Sequence, residues 1–127
     1  MAATKMDASV RNGVVTTSAG RYVFIAATCA AGMEGGAIDA EISGPGTAPD
    51  GEPIFVDFSS TAQALSIGLG VDKPFSSPER QLRGGQYVTR PFSVTLTGQT
   101  VLASEIVLAA DDGSVIDDKA SFEVDCG

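Results

Sequence analysis

The sequence predicts an all-β protein, an antiparallel β-sandwich of about seven to nine strands in one domain. Three observations carry this. Several segments alternate apolar and polar residues with the period of two that only a half-buried strand needs. Turn signals built from Gly, Pro, Asn and Asp recur every eight to fifteen residues. No segment shows a strand–helix–strand rhythm, so a parallel sheet is not expected.

Residues 1–9 read as a flexible leader and residues 10–127 as the single sandwich domain. Val10–Thr17 is a first strand, with Asn12-Gly13 marking a turn or bulge inside it. Ser18-Ala19-Gly20 turns the chain. Arg21–Ala31 is aromatic, β-branched and apolar almost throughout, the pattern of a strand buried on both faces. Gly32–Gly36 is the next turn. In Ala37–Ser43, Ile38, Ala40 and Ile42 face one way and Asp39, Glu41 and Ser43 the other. Residues 44–53 hold three prolines and three glycines and predict a ten-residue loop. Ile54–Ser59 alternates again, with Ile54, Val56 and Phe58 opposite Phe55, Asp57 and Ser59. Ala62–Val71 follows as a strand. A second loop, 72–86, contains Pro74, Pro78, Gly84 and Gly85, with room for a helical turn over Ser77–Leu82 capped by Ser77. Tyr87–Thr97 is a strand carrying Phe92, Val94 and Leu96 on one face. Gly98-Gln99 makes a two-residue hairpin into the strand Thr100–Ala110. Asp112-Gly113 makes another. Ser114–Asp118 and Ala120–Cys126 finish the sheet, and Phe122, Val124 and Cys126 share its inner face.

This rhythm resembles the immunoglobulin-like sandwich at the level of fold class alone. The chain has no tryptophan, so the core tryptophan of true immunoglobulin domains is absent. Cys126 falls in the last strand, not the penultimate one. No family motif is matched, and fold class by itself assigns no function.

Charge and cysteine usage narrow the setting. The net charge is −8, from 8 basic and 16 acidic residues. Phosphate backbones and anionic membrane surfaces are therefore repelled, so neither nucleic acid nor membrane insertion is expected. The longest apolar run, Tyr22–Ala31, is half of the roughly 20 residues that a spanning helix requires. The polar stretch 1–13 is no signal peptide, so export implies a mature form whose signal is not in this chain. The two cysteines, Cys29 and Cys126, stand almost a full domain apart. Paired, they would clamp the last strand to an early one in an oxidising compartment, periplasmic or extracellular.

The chemistry is defined first by what is missing. There is no histidine, so a Ser-His-Asp or Cys-His nucleophile cannot be assembled, nor a histidine-based metal site within one chain. No cofactor is expected. Catalysis would have to rest on a Ser-Lys pair, for which Lys5, Lys73 and Lys119 in polar stretches offer no desolvated base, or on carboxylates such as Asp39, Glu41, Asp57 and Glu105, and residues on a wet strand face are more commonly just solvated. Asp111, Asp112, Asp117 and Asp118 crowd one hairpin and could supply oxygen ligands to calcium. Their spacing is not that of an EF-hand loop, and Asp-Gly is itself a preferred hairpin turn. Arg80, Arg83, Tyr87 and Arg90 form a candidate recognition rim, because Arg and Tyr concentrate binding energy at interfaces.

The expected function is non-catalytic: an exported domain binding a protein partner, or itself, through loops 44–53 and 72–86 and through strand edges. A structural subunit of a surface fibre or virion, a calcium-dependent binding module and a carboxylate hydrolase are the alternatives, in that order.

Overall fold

The computed structural model describes residues 12–69, 81–110 and 113–126. The leader 1–9 and the segment 72–80, with its expected helical turn up to Arg80, lie outside the described residues. Ten strands are present among those described: β1 (Asn12–Thr17), β2 (Gly20–Ile25), β3 (Thr28–Glu34), β4 (Ala37–Thr47), β5 (Pro53–Ser59), β6 (Ala64–Leu69), β7 (Gln81–Gly85), β8 (Ser93–Thr97), β9 (Thr100–Ala109) and β10 (Val115–Asp125). The all-β class is as expected; the sandwich is not. The strands β10-β1-β2-β4-β5-β6-β7-β9 pair in sequence and β9 pairs back with β10, which closes an eight-stranded antiparallel barrel. β3 and β8 flank it, pairing with β4 and β9 respectively.

The closure has a physical cause at two narrow seams. β2 meets β4 over only Val23↔Thr47 and Phe24↔Gly46, and β7 meets β9 over only Arg83↔Ala109 and Gly84↔Leu108. Both seams are lined by glycine. A Cβ on Gly44 would overlap the Ile25 carbonyl oxygen, and one on Gly46 the Val23 carbonyl oxygen. A Cβ on Gly84 would stand 2.8 Å from the Val107 carbonyl oxygen and 2.9 Å from Leu108 Cδ2. The expected loop 44–53 is therefore half strand: Gly44–Thr47 completes β4, Pro53 opens β5, and only Ala48–Glu52 turns. Ala48 N–H donates to Glu52 O at 2.8 Å and Gly51 N–H to Ala48 O at 2.9 Å.

Other boundaries shift for similarly local reasons. The run 21–31 is two strands broken at Ala26-Ala27, and only one face is inside. Tyr22, Phe24 and Ala26 are buried, while Val23 and Ile25 are exposed. Asn12-Gly13 is ordinary strand. Gly13 pairs with Phe24, whose ring fills the space a side chain there would take. Gly35 and Gly36, both at positive φ, turn β3 into β4 with Glu34 opposite Ala37. Tyr87–Phe92 is not strand: Gln86–Val88 is one 3-10 turn, and β8 begins at Ser93. The last two expected strands are one, β10, with irregular register between Val115 and Phe122. Opposite it, Glu105 adopts φ 55° and inserts an extra residue in β9, so Ala103 and Ile106 both face inward.

Side chains fill the barrel, as the eight-stranded size allows. Phe24, Phe122, Phe58 and Phe92 form a stacked row across it, with Phe58 and Phe122 4.0 Å apart at 9°. Val15, Ile42, Ile54, Val56, Leu65, Ile67, Ile106 and Leu108 pack around them. Cys29 and Cys126 are bridged, with Cα atoms 5.5 Å apart and a sequence separation of 97. That distance is close to the spacing of neighbouring strands. The bridge thus holds β3 beside the end of β10, and it is compatible with an oxidising, exported location.

Replacing both cysteines with alanine should cost about 4–5 kcal/mol by the loop-entropy account, read by urea denaturation. Gly46→Ala should cost about 1–3 kcal/mol by overpacking its seam. Gly32→Ala, where a Cβ meets nothing within 4 Å, should change stability by less than about 1 kcal/mol in the same assay.

Candidate functional site

On β7, Leu82 and Gly84 point into the barrel, so Gln81 and Arg83 point out. Register fixes their neighbours on the outer wall. Phe55, Gly68 and Gln81 form one row across β5, β6 and β7, and Asp57, Ser66 and Arg83 form the next. The missing side chain of Gly68 leaves a depression of about 210 Å³ walled by Phe55, Asp57, Ser66 and Gln81. Arg83 Nε donates to Gln81 Oε1 at 3.0 Å. Its guanidinium carbon also sits 5.4 Å from the centroid of the Tyr87 ring.

The turn that carries Tyr87 is pinned by backbone bonds. Gly85, at φ 71°, lets the chain leave the sheet; a Cβ there would overlap the Gln63 carbonyl and press on the Phe92 ring. Gln86 N–H donates to Gln63 O at 2.8 Å, Thr89 N–H to Gln86 O at 3.1 Å and Arg90 N–H to Gly85 O at 2.9 Å. Phe92, buried, anchors the far side. The result is a fixed loop that holds Tyr87 out at 55 % exposure. A cation over a ring face is favourable by about 0.5–1 kcal/mol at an exposed site, enough to bias both side chains toward one arrangement.

Of the four rim residues expected from sequence, the structure brings Arg83 and Tyr87 together. Arg90 is exposed three residues further on, and Arg80 lies outside the described residues. Sequence reasoning did not use Phe55. It was legible as an aromatic on the polar side of an alternating strand, and it is 39 % exposed.

The acidic hairpin resolves differently. Asp111 and Asp112 lie outside the described residues. Asp118 is exposed. Asp117 is a structural clamp: its Oδ2 accepts the Ser18 N–H and its Oδ1 the Lys119 N–H at 2.7 Å. One carboxylate thereby ties the β1–β2 turn to the irregular start of β10. The two backbone donors, Ser18 first, hold its pKa below the usual carboxylate range and outweigh the opposing effect of burial. Among the described residues, no group of three or more Asp, Glu or Cys stands close enough to hold a metal ion. Of the other candidate carboxylates, Asp39, Glu41 and Asp57 share the outer face of β4 and β5, with Asp57 opposite Ser43, and Glu105 stands apart. Glu41 accepts from Ser59 Oγ at 2.7 Å and from Thr61 Oγ1 at 3.4 Å on the outer face of β4. Asp39 and Asp57 lie on β4 and β5, and Glu105 lies on the β9 bulge. No helix among the described residues is long and apolar enough to cross a membrane.

Because its folded pKa is depressed, the stabilisation from Asp117 is fully present above its unfolded value of about 3.9 and fades as pH falls through the folded one. Asp117→Ala should therefore cost about 1–2 kcal/mol near neutral pH, and the gap to the parent should close as pH drops below about 4. Urea denaturation of both proteins across pH reads the difference.

No family model, no curated protein and no solved structure matches this chain.

Proposed function

We propose that this chain is a non-catalytic, exported module, periplasmic or extracellular, that binds a protein partner through the outer wall of β5, β6 and β7. The anchors are Arg83, Tyr87 and Phe55. The observation that carries the reading is the pinned 85–90 loop, which presents an exposed tyrosine with an arginine held over its ring. Pre-ordered aromatic and arginine side chains lose little freedom on association, so more of their contact energy appears as affinity. A filled interior supports the same view, since little room for a ligand is left inside the wall. The absence of histidine and the placement of Glu41 and Asp57 on an exposed strand face favour binding over catalysis.

A second reading, self-association as a structural subunit, has its own observation. Among the described residues, β3 and β8 each pair with one neighbour only, and such edges can accept another strand.

A photoreactive amino acid placed at position 87 in cells of the native source should give one discrete protein adduct, lost when Arg83 is changed to alanine. The same probe at Thr95, on β8, is the comparison. No adduct at 87, or equal adducts at both positions, would overturn the proposal. An adduct whose mass is twice that of this chain would favour self-association.

A further inference from the structure

The barrel has a second exposed surface four strands away from β6 in either direction, centred on β1. Its pattern is read from register. Val14 lies between Val23 of β2 and Glu123 of β10, and Glu123 lies beside Leu102 of β9. One step along, Asn12 faces Ile25 and Asp125 faces Thr100; one step the other way, Thr16 faces Arg21. Val23 is 46 % exposed, Ile25 51 % and Leu102 38 %. Scattered apolar residues on a surface are ordinary. Here Val14, Val23 and Ile25 are contiguous. Val14 is half-buried between more prominent neighbours, so β1 forms the floor of a groove of about 350 Å³. Arg21 and Val23 stand on one side of it, Glu123 and Asp125 on the other. That volume lies at the small end of the roughly 300–1,000 Å³ range of ligand sites, and suits a few side chains rather than a whole organic ligand.

Charge selects the occupant. The apolar strip runs beside two carboxylates, with Arg21 as the single basic lining residue among the described residues, on a chain of net charge −8. A second copy would bring Glu123 and Asp125 against an equally acidic wall, which costs free energy. Anionic lipid and phosphate are repelled likewise. An extended polypeptide with apolar residues at alternate positions and lysine or arginine beside them meets every feature. Its same-face side chains repeat at about 6.6–6.8 Å, the repeat of Val23 to Ile25 and of Glu123 to Asp125. We propose that this groove docks such a basic, apolar-alternating segment of a protein partner, independently of the Arg83–Tyr87 surface.

The test is a titration of the isotope-labelled full chain with the synthetic peptide Lys-Lys-Val-Thr-Val-Thr-Val-Lys-Lys, followed by amide NMR shifts. Shifts should be confined to residues 12–14, 21–25, 102 and 121–125. The double variant Val23→Thr, Ile25→Thr keeps β-branched side chains at exposed positions and should bind about fivefold or more weakly. Salt at about 0.5 M should weaken binding, and the peptide with glutamate in place of lysine should not bind. Tyr87→Ala should leave the titration unchanged, which separates this surface from the first. Shifts spread over the whole acidic surface, or equal binding by the double variant, would show non-specific charge attraction and overturn the proposal. So would silence at millimolar peptide. Concentration-dependent shifts at the same residues without peptide would overturn the occupant in favour of a second copy.

Discussion

The fold depends on how closely backbones can approach at two seams. Each seam holds only two registered residue pairs, yet together they turn what would be two stacked sheets into one closed wall. The β3-β4-β5-β6-β7 run is a continuous meander, and the β8-β9-β10-β1-β2 run joins a meander to the N-terminal hairpin through the β10–β1 pairing. They can join edge to edge only where β4 crosses the carbonyls of β2 and where β7 crosses β9. Any Cβ at Gly44 or Gly46 would occupy the space of a peptide oxygen. The glycines lose entropy on folding and contribute no side-chain packing. What they permit is closure of the eight barrel strands, which leaves edges only on the flanking β3 and β8 among the described residues.

Closure also demands curvature, and the chain supplies it through extra residues. Glu105 at positive φ and the shifts between Val115 and Phe122 face each other across the β9–β10 pair. Bulges of this kind increase local twist and let long strands bend around a small barrel. They disturb the ladder, and Asp117 compensates by accepting amides from Ser18 and Lys119 near the start of β10. At the other end of β10, Cys126 is held by the bridge to Cys29 and by its own N–H donating to Gln99 O at 2.8 Å. β10, which pairs with both β1 and β9, is thus secured at its two ends by different chemistry: a carboxylate clamp that weakens in acid and a covalent bridge that weakens under reduction.

Much of this was legible in the sequence. Alternation in Ile54–Ser59 separated Ile54, Val56 and Phe58, which are inside, from Phe55, Asp57 and Ser59, and the two-residue hairpin at Gly98-Gln99 and the Cys29–Cys126 pairing are as read. What failed did so for identifiable reasons. Gly44-Pro45-Gly46 and Gly84-Gly85 carry the composition of loops, and a glycine needed for close approach is indistinguishable, in one sequence, from a glycine needed for a turn. Val23 and Ile25 are as apolar as Phe24, so Arg21–Ala31 gave no sign that one face is wet. The β9 bulge breaks the period of two between Ala103 and Ile106, which hides the inner face of that strand. Of the recognition rim, the proximity of Arg83 and Tyr87 follows from their spacing across a turn. The contribution of Phe55 needed the β5–β6–β7 register.

A small barrel with a filled interior restricts how such a chain can act. With Phe58 stacked on Phe122 at its centre, the inner face stabilises the fold and contributes little else. The recognition proposed above would then fall to outward residues, and away from the β9 bulge and the irregular start of β10 the period of two separates the two sets: Phe58 packs, Asp57 is exposed; Phe24 packs, Val23 is exposed. Substitutions on the outer set cost little stability as long as they respect strand preference, so the wall can change its chemistry while the core stays fixed. Opposite walls can therefore differ, one presenting an arginine over a tyrosine and the other an apolar strip beside carboxylates. Strands and the pinned 85–90 loop hold these arrangements, so neither proposed surface would need to order itself on binding.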